Sequence, residues 1–389
     1  MSALPFEAFG PSPALFTAPP ITHVAFSPRP GPVGHDQLTK RAVAQHLAEV
    51  LEAEYIGEPV AELPGSPLAV QLVVPSETVL AGEPARRLGI TDARRLFGGV
   101  VPFAFVATKV ITHPLVRPDA VAPEGWCHVF PDAVRPVVLP GYSVFDAADA
   151  LEAGEQLMLA EGHPVVRLKL PQGVGGSGQF VVRSMAELTQ CVQAIDPALL
   201  RAEGLVLECN LREVATFSVG QVSVGPYLAS YCGTQRLVTN HAGHEVYGGS
   251  KLLVVRGGYE RLLAQPVEAC QRAAVEQARV YHAQAMACFP GLLATRCNYD
   301  IAQGRDEAGL LRSGVLEQSW RIGGATGAEV MALQAFRDDD QLQVVEAVTQ
   351  ETYGEPGELP AGAKVYYDGI DPQVGRLVKA AWVQRHGHA

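Results

Sequence analysis

Charged residues are scarce in this chain of 389 residues. Asp, Glu, Lys and Arg make up 18% of it, and only six of the thirty basic residues are lysines. The acids outnumber the bases by 41 to 30, and the net charge of −11 argues against nucleic acid or an anionic membrane as a partner. No apolar run approaches the roughly 20 residues that span a bilayer. Since 48% of the residues are apolar, the chain can still bury a large core.

Cysteine pairs at metal-binding or redox spacing are also absent. The seven cysteines are odd in number and widely spaced, with no Cys-x-x-Cys pair. No lysine or arginine precedes Arg29, so we expect no secretory signal of the kind that begins with a basic segment. These features predict reduced thiols and a multi-lobed cytoplasmic enzyme, and they leave an oligomer open.

The N-terminal part of the chain has the pattern of an open α/β domain. Residues 21–26 are apolar and β-prone, residues 36–54 carry apolar side chains at helical spacing, and residues 69–74 form a second apolar run. The Pro/Gly loop between the first strand and the helix either borders a site entrance or is a plain connector. We expect this domain to occupy residues 1–105.

Three further units follow in the expected organisation. Their boundaries are 106–206, 207–355 and a strand-containing C-terminal extension at 356–389. The expected elements are helices at 143–161, 185–195 and 267–289 and strands at 165–170, 179–183, 204–208, 216–224, 227–233, 252–256, 294–302, 314–321 and 363–367.

A glycine-rich run lies between two predicted strands. Gly173-Val-Gly175-Gly176-Ser177-Gly178 matches Gly-x-Gly-x-x-Gly, but the residues that follow favour a strand rather than the helix of a dinucleotide site. A Walker A loop is excluded because Gln and Phe stand where Lys and Ser/Thr belong. Backbone N–H groups of such a turn can surround phosphate oxygens, and Lys169 would add a charge at its mouth. The alternative is a plain flexible hairpin.

Polar side chains alternate on two strands near the C-terminal side. The first strand carries Arg296, Asn298 and Asp300, and the second carries Glu317, Ser319 and Arg321. Because strand residues two apart share a face, pairing of these strands would bring Asp300 and Glu317 together. Two carboxylates completed by water and phosphates suit Mg²⁺. The alternative is a solvated face with surface salt bridges. Gln235, further upstream, is interpreted as a surface residue, and the alternative is that its strand lines the cleft and Gln235 contacts phosphate or substrate.

With these two signals, residues 105–330 resemble ATP-grasp enzymes. The resemblance implies an α+β / α/β fold in which two ATP-grasp lobes close on ATP, preceded by an open α/β (pre-ATP-grasp) domain. The motifs at residues 97–103, 247–250 and 314–321 further resemble an uncharacterised bacterial family of ATP-grasp-like proteins.

The resemblance also implies roles for individual residues. Lys109 and Lys169 correspond to the family's two phosphate-binding lysines, next to a hairpin containing Gly175, Gly176 and Ser177. Glu208 and Asn210 lie on the segment between the lobes that contacts adenine, and Glu213 is a candidate ribose partner. Asp300, Glu317 and Ser319 match the metal signature, although Ser319 stands where the family usually has Asn.

The reaction that the resemblance implies is ATP-dependent joining of a small-molecule carboxylate to an amine through an acyl phosphate. Arg321 and Arg296 would flank Mg²⁺ and stabilise developing negative charge. Two alternatives stay open: a phosphotransferase on the same scaffold, and a nucleotide-binding sensor without catalysis.

Overall fold

The computed structural model describes residues 20–60, 69–173 and 178–387. Gly175, Gly176 and Ser177 of the expected phosphate loop lie outside the described residues. The strands are β1 (Ile21–Ser27), β2 (Glu54–Tyr55), β3 (Val70–Pro75), β4 (Val79–Leu80), β5 (Gly99–Val101), β6 (Gly141–Val144), β7 (Val166–Lys169), β8 (Gln179–Val182), β9 (Leu205–Cys209), β10 (Arg212–Val224), β11 (Tyr227–Thr239), β12 (Glu245–Arg256), β13 (Leu293–Ala294), β14 (Arg296–Arg305), β15 (Leu311–Ser319), β16 (Val344–Tyr353), β17 (Lys364–Asp371) and β18 (Gly375–Gly387). The helices are α1 (His35–Val50), α2 (Glu83–Arg87), α3 (Val129–Val134), α4 (Ala147–Glu155), α5 (Met185–Gln193), α6 (Pro197–Glu203), α7 (Tyr259–Leu263), α8 (Ala269–Cys288) and α9 (Thr326–Asp338).

The N-terminal unit is a parallel sheet in the order β2-β1-β3, with α1 packed against it. Val24 and Phe26 of β1 are buried together with Val43 and Leu47 of α1, so one face of each element supplies the core. From β1 the chain passes through α1 to β2 on one side and then crosses to β3 on the other side, which makes the carboxyl end of β1 a topological switch point. The strand, loop, helix and strand expected here are confirmed, except that the helix ends at Val50 and Glu54 begins β2 instead of ending the helix.

The second unit is a four-stranded sheet in the order β6-β9-β7-β8, covered on one face by α4 and α5. Leu168 of β7 and Leu207 of β9 pack under these helices. Their strand neighbours Lys169 and Glu208 therefore point to the opposite face. Strands β7 and β8 pair in antiparallel fashion around the glycine run, as expected.

One helix in this unit begins later than the sequence pattern predicts. Residues 141–144 form strand β6, and α4 begins only after Asp146. The Asp146 carboxylate accepts a hydrogen bond of 2.8 Å from the Ala148 amide, which is the interaction of a helix N-cap. The prediction of a helix from residue 143 is therefore wrong by about one turn.

The third unit is built on an eight-stranded sheet in the order β15-β14-β10-β11-β12-β16-β18-β17. Helix α8 covers one face, where Tyr281 packs with Tyr299 of β14. Helix α9 covers the other face, where Leu333 packs with Leu252 of β12. The predicted strands and long helix of this unit are present.

The C-terminal extension continues this same sheet rather than standing apart from it. Strand β18 pairs with β16, and β17 pairs with β18 at the edge of the sheet. Asp371, at the end of β17, accepts a hydrogen bond from the backbone amide of His35 at the start of α1. The extension therefore contacts the N-terminal unit.

Among the residues that the structure describes, no helix combines the length and the apolar character needed to cross a lipid bilayer.

Candidate nucleotide and metal site

Two carboxylates face each other on neighbouring strands of the large sheet. Asp300 of β14 is the cross-strand partner of Glu317 of β15, and Asn298 is the partner of Ser319. The polar turn between the two strands closes a hairpin, and a one-residue register shift between Ile301 and Asp300 brings Glu317, rather than Leu316, opposite Asp300.

Asp300 lies in a polar environment that holds one of its oxygens. Asn298 Nδ2 and Gln235 Nε2 donate hydrogen bonds to Asp300 Oδ1 at 2.9 and 2.8 Å. Burial and the nearby charge of Glu317 raise the pKa of Asp300 to about 7. Two crowded carboxylates of this kind are a donor set for a hard cation. Among the described residues no group of three His, Cys, Asp or Glu gathers as a metal cluster, so the protein offers this site two carboxylates.

Lys109 connects the acids to the glycine run. It begins a short helical turn, Lys109–Thr112, and its side chain is almost fully buried. Its Nζ atom lies 2.6 Å from Glu317 Oε2 and also donates to the carbonyl of Gly173 at 3.0 Å. One ammonium therefore brings the glycine run and the acidic pair to the same place.

Lys169 and Glu208 form a buried ion pair on the second sheet. Glu208 also accepts a hydrogen bond from His113 Nε2 at 3.3 Å. Burial by itself would raise the pKa of Glu208, but the charge of Lys169 and the His113 hydrogen bond lower it to about 2. Glu208 is therefore an anion that fixes the position of the Lys169 ammonium.

The remaining candidates for adenosine binding contact residues other than the lysines and acids described above. Asn210 Oδ1 accepts a hydrogen bond of 2.8 Å from Arg167 Nη2, and the Asn210 amide donates to the Val165 carbonyl. Glu213 lies on an irregular segment of β10 with a positive φ of 54°, and its exposed carboxylate is 3.8 Å from Arg305 Nε. Their roles stay predictions.

Arg321 lies at the junction with the N-terminal unit. Its Nε atom is 3.1 Å from Glu77 Oε2, in the loop after β3. Glu77 is also 3.3 Å from Lys40 Nζ, and the same ammonium lies 3.0 Å from Asp36 Oδ2. These contacts form a row of alternating acidic and basic side chains that runs from Asp36 on α1 to Arg321.

Arg296 requires a correction to the expected site. Its side chain is 1% exposed, and its Nε and Nη2 atoms donate to the two oxygens of Glu329 at 3.1 and 2.7 Å. Its third nitrogen, Nη1, donates to the carbonyls of Ser319 and Arg321. Because each of its three nitrogen atoms already donates a hydrogen bond, the Arg296 guanidinium is committed to Glu329 and to the backbone rather than to the acids. It holds the backbone that carries Arg321.

Ser319 lies one cross-strand pair away from the two acids. It is the partner of Asn298, and its hydroxyl donates to the Arg321 carbonyl at 3.4 Å. Its assignment as a metal ligand stays a prediction.

Four neighbours of the site were not expected from the sequence. They are Gln235 at Asp300, Glu329 at Arg296, Glu77 at Arg321 and His113 at Glu208. Glu329 alone carried a usable signal, since it is an acid within an apolar stretch of helix, and a buried acid requires a partner. The others come from segments distant in sequence.

The comparisons with known proteins agree with this architecture. Residues 24–381 match a protein family described as "Protein of unknown function (DUF3182)". The chain belongs to this family. No curated protein matches it. Nearly the whole chain is therefore related to this family, but the description of the family names no activity.

Solved structures show which fold this family member has. The N5-carboxyaminoimidazole synthetase of Staphylococcus aureus, complexed with ADP, superposes with a TM-score of 0.53 and 10% identity, covering 95% of each chain. D-alanyl-alanine synthetase A of Vibrio cholerae gives 0.48 at 12% identity, covering 82% of this chain and 94% of the other. Biotin carboxylase of Campylobacter jejuni gives 0.48 at 10% identity, covering 96% and 88%. The first of these superpositions, with a TM-score above 0.5, shows that the fold is the ATP-grasp fold, as the sequence resemblance implies.

Proposed function

We propose that this chain is an ATP-dependent ligase that joins a small-molecule carboxylate to an amine through an acyl phosphate. The observation that carries the proposal is the double contact of Lys109, which joins the glycine run to the acidic pair. A triphosphate with its metal ion needs this combination of ammonium, backbone amides and carboxylates in one place. The ATP-grasp fold supports the same interpretation.

The nucleotide would be held from both lobes. Lys109 and Lys169 supply ammonium groups for the phosphates, and the hairpin containing Gly175, Gly176 and Ser177 supplies backbone amides. Glu208, Asn210 and Glu213 are proposed for the adenosine end. Because Glu208 is ionised and hydrogen-bonded to His113, it orients Lys169 without leaving a buried charge uncompensated.

Asp300 and Glu317 are the residues that would hold Mg²⁺, with Ser319 as a third candidate. Burial and the nearby charge of Glu317, which together raise the pKa of Asp300, are the properties expected of a cation site. When bound, the ion would neutralise charge on the phosphate oxygens. Lys109 approaches the same Glu317 carboxylate, so its charge acts where the phosphates meet the acids.

Arg321 is proposed to bind the reacting carboxylate. An oxygen of that carboxylate bonds to the γ-phosphorus while the bond to the β–γ bridging oxygen breaks and ADP leaves. The amine then adds to the carbonyl carbon, phosphate leaves and a proton is released from nitrogen. Arg321 stabilises the negative charge that develops on the carbonyl oxygen. A planar guanidinium suits both the carboxylate and the phosphoryl group.

The neighbours of Arg321 suggest how both substrates meet. A carboxylate substrate would replace Glu77 on the guanidinium of Arg321. Glu77 and Asp36 then offer acidic oxygens that bind the amine as an ammonium group beside the acyl phosphate, and one of these carboxylates would accept the proton that the ammonium loses before the amine attacks. We also propose that the protein works in the cytoplasm, since its seven cysteines are free thiols.

A screen of carboxylates for ADP release, with hydroxylamine present to trap an acyl phosphate, tests this function. We expect one class of acid to give ADP together with an equal amount of hydroxamate, and the Asp300→Asn variant to give neither. ADP release that yields a stable phosphorylated product without hydroxamate would replace the ligase with a phosphotransferase. ADP binding without turnover across the panel would indicate a sensor.

A further inference from the structure

The residue that follows the acid Glu317 on β15 also contacts the segment that carries Lys109. Gln318 is 4% exposed and points to the face of the large sheet that α8 covers. Its Nε2 atom donates hydrogen bonds to the backbone carbonyls of Val106 and Thr108 at 2.9 and 2.7 Å. Because β15 is the edge strand of this sheet, neighbouring side chains on its two faces can reach one segment. Glu317 thus contacts the ammonium of Lys109, and Gln318 holds the backbone directly before it.

A second set of contacts holds the other end of the helical turn Lys109–Thr112. The hydroxyl oxygen of Tyr281 on α8 lies 3.0 Å from Gln318 Oε1 and 3.0 Å from Thr112 Oγ1. An amide oxygen can only accept, so Tyr281 donates its single hydroxyl proton to Gln318. The Thr112 hydroxyl must then donate to Tyr281. Both ends of the turn are therefore connected to the same glutamine.

This network of three side chains is buried and uses all of its donors. Tyr281 and Thr112 are 0% exposed, and Gln318 uses both of its N–H groups on backbone carbonyls. No side-chain donor of the network remains for a ligand, so these residues do not bind a substrate themselves. A buried polar network whose members are all hydrogen-bonded makes its surroundings rigid. What it makes rigid here is the backbone of the turn that begins with Lys109.

We propose that Gln318, Tyr281 and Thr112 are positioning residues for Lys109. They fix the backbone from which the lysine extends, so that its ammonium lies at the acidic pair before a nucleotide binds. A long side chain that becomes ordered only when a ligand binds lowers the affinity, and a preorganised side chain avoids this loss. The effect on nucleotide binding rests on the proposed function, whereas the restraint of the turn does not.

Hydrogen exchange measured by mass spectrometry, without nucleotide, tests the restraint of the turn. We expect residues 106–112 to exchange about tenfold faster in Gln318→Met than in the wild type, because the closed form loses hydrogen bonds. Gln303→Met is the matched control, since Gln303 also reaches from the sheet to α8, where it donates to the Cys270 carbonyl at 2.8 Å. Thr112→Val deletes only a hydroxyl and should act in the same direction, so it decides the point if Gln318→Met does not fold. Unchanged exchange of residues 106–112, or an equal change in Gln303→Met, would overturn the restraint.

A double-mutant cycle with Lys109→Met tests whether the network acts through the lysine. In the wild-type background, Gln318→Met should weaken MgADP binding by about threefold to tenfold, which is the cost of ordering one long side chain on binding. In the Lys109→Met background, the same substitution should cause no further loss, because the side chain that it positions is gone. Gln303→Met should leave the MgADP affinity unchanged in both backgrounds.

Two results of this cycle would overturn the positioning of Lys109. They are no loss of MgADP affinity when Gln318→Met is made in the wild type, and an equal loss in both backgrounds. Thr112→Val takes the place of Gln318→Met in the cycle if the latter does not fold. Failure of the wild type to bind MgADP would reject the proposed function, and hydrogen exchange of residues 106–112 would still decide whether the turn is restrained.

Discussion

The Lys109 ammonium lies 2.6 Å from the Glu317 carboxylate, on the side of the acidic pair that faces the glycine run. The two residues come from different lobes, and neither the turn of Lys109 nor strand β15 needs this contact for its own backbone hydrogen bonds. Burying the Lys109 ammonium next to an acid from another lobe costs desolvation free energy. That cost is explained if both charges bind a ligand. We interpret the pair as a preorganised place for phosphates and a cation.

Replacing Lys109 with Met should weaken MgADP binding by about tenfold to a hundredfold, because one charge-assisted contact to phosphate is lost. Isothermal titration calorimetry measures this directly. Lys364→Met is the matched control, since Lys364 makes an ion pair of 2.7 Å with Glu49 on the surface. Equal affinities of the two variants would show that Lys109 does not contact the nucleotide.

Arg321→Ala should reduce ADP release with the correct substrates by about 10²–10³, as removal of one donor to a developing oxyanion does in other enzymes. MgADP affinity should change little, because Arg321 is assigned to the acid substrate. The comparison of turnover with ADP affinity in the same variant separates this role from general damage. Wild-type turnover of Arg321→Ala would contradict the assignment.

Glu329→Gln should destabilise the fold by about 3–5 kcal/mol, since Arg296 would then be a buried charge without its counter-ion. Urea unfolding measures the free energy of unfolding. Glu49→Gln, which removes a surface partner of Lys364, should cost about 1 kcal/mol or less. Similar stabilities of the two variants would mean that the Arg296–Glu329 pair contributes no more than a surface ion pair.

His282 should make the protein sensitive to mild acid. Burial lowers its pKa to about 4, from 6.5 for an ordinary histidine, and its Nδ1 atom is 2.6 Å from the Tyr299 hydroxyl. Between these two pH values the unfolded chain binds a proton at this position that the folded chain does not. The free energy of unfolding therefore falls as pH drops from 6.5 toward 4, by up to about 1.4 kcal/mol per pH unit. Urea unfolding at several pH values should show a smaller slope in His282→Gln than in the wild type. Equal slopes in His282→Gln and the wild type would contradict the assignment of this acid sensitivity to His282.

The acidic pair could be predicted from the sequence because its geometry is local. Asp300 and Glu317 belong to two strands joined by a short polar turn, and strand alternation fixes which side chains share a face. The strand pair around the glycine run is local in the same way. The turn and the period predict that β14 and β15 pair, but they do not predict the one-residue register shift after Ile301 that places Glu317 opposite Asp300.

The partners of the arginines could not be predicted in this way. Alternation places Arg296 on the same face as Asp300, but whether that face is open or covered depends on where α9 packs. Glu77 reaches Arg321 only because the N-terminal unit lies against the large sheet. Such contacts join segments far apart in the chain, and no local pattern encodes them.

The most direct test of the account is the magnesium dependence of ADP binding, measured by calorimetry in the wild type and in Glu317→Gln. If the acids and the phosphate lysines form one site, Mg²⁺ will tighten ADP binding to the wild type and will have a much smaller effect on Glu317→Gln. Failure of the wild type to bind ADP, or an equal effect of Mg²⁺ on both proteins, would contradict it.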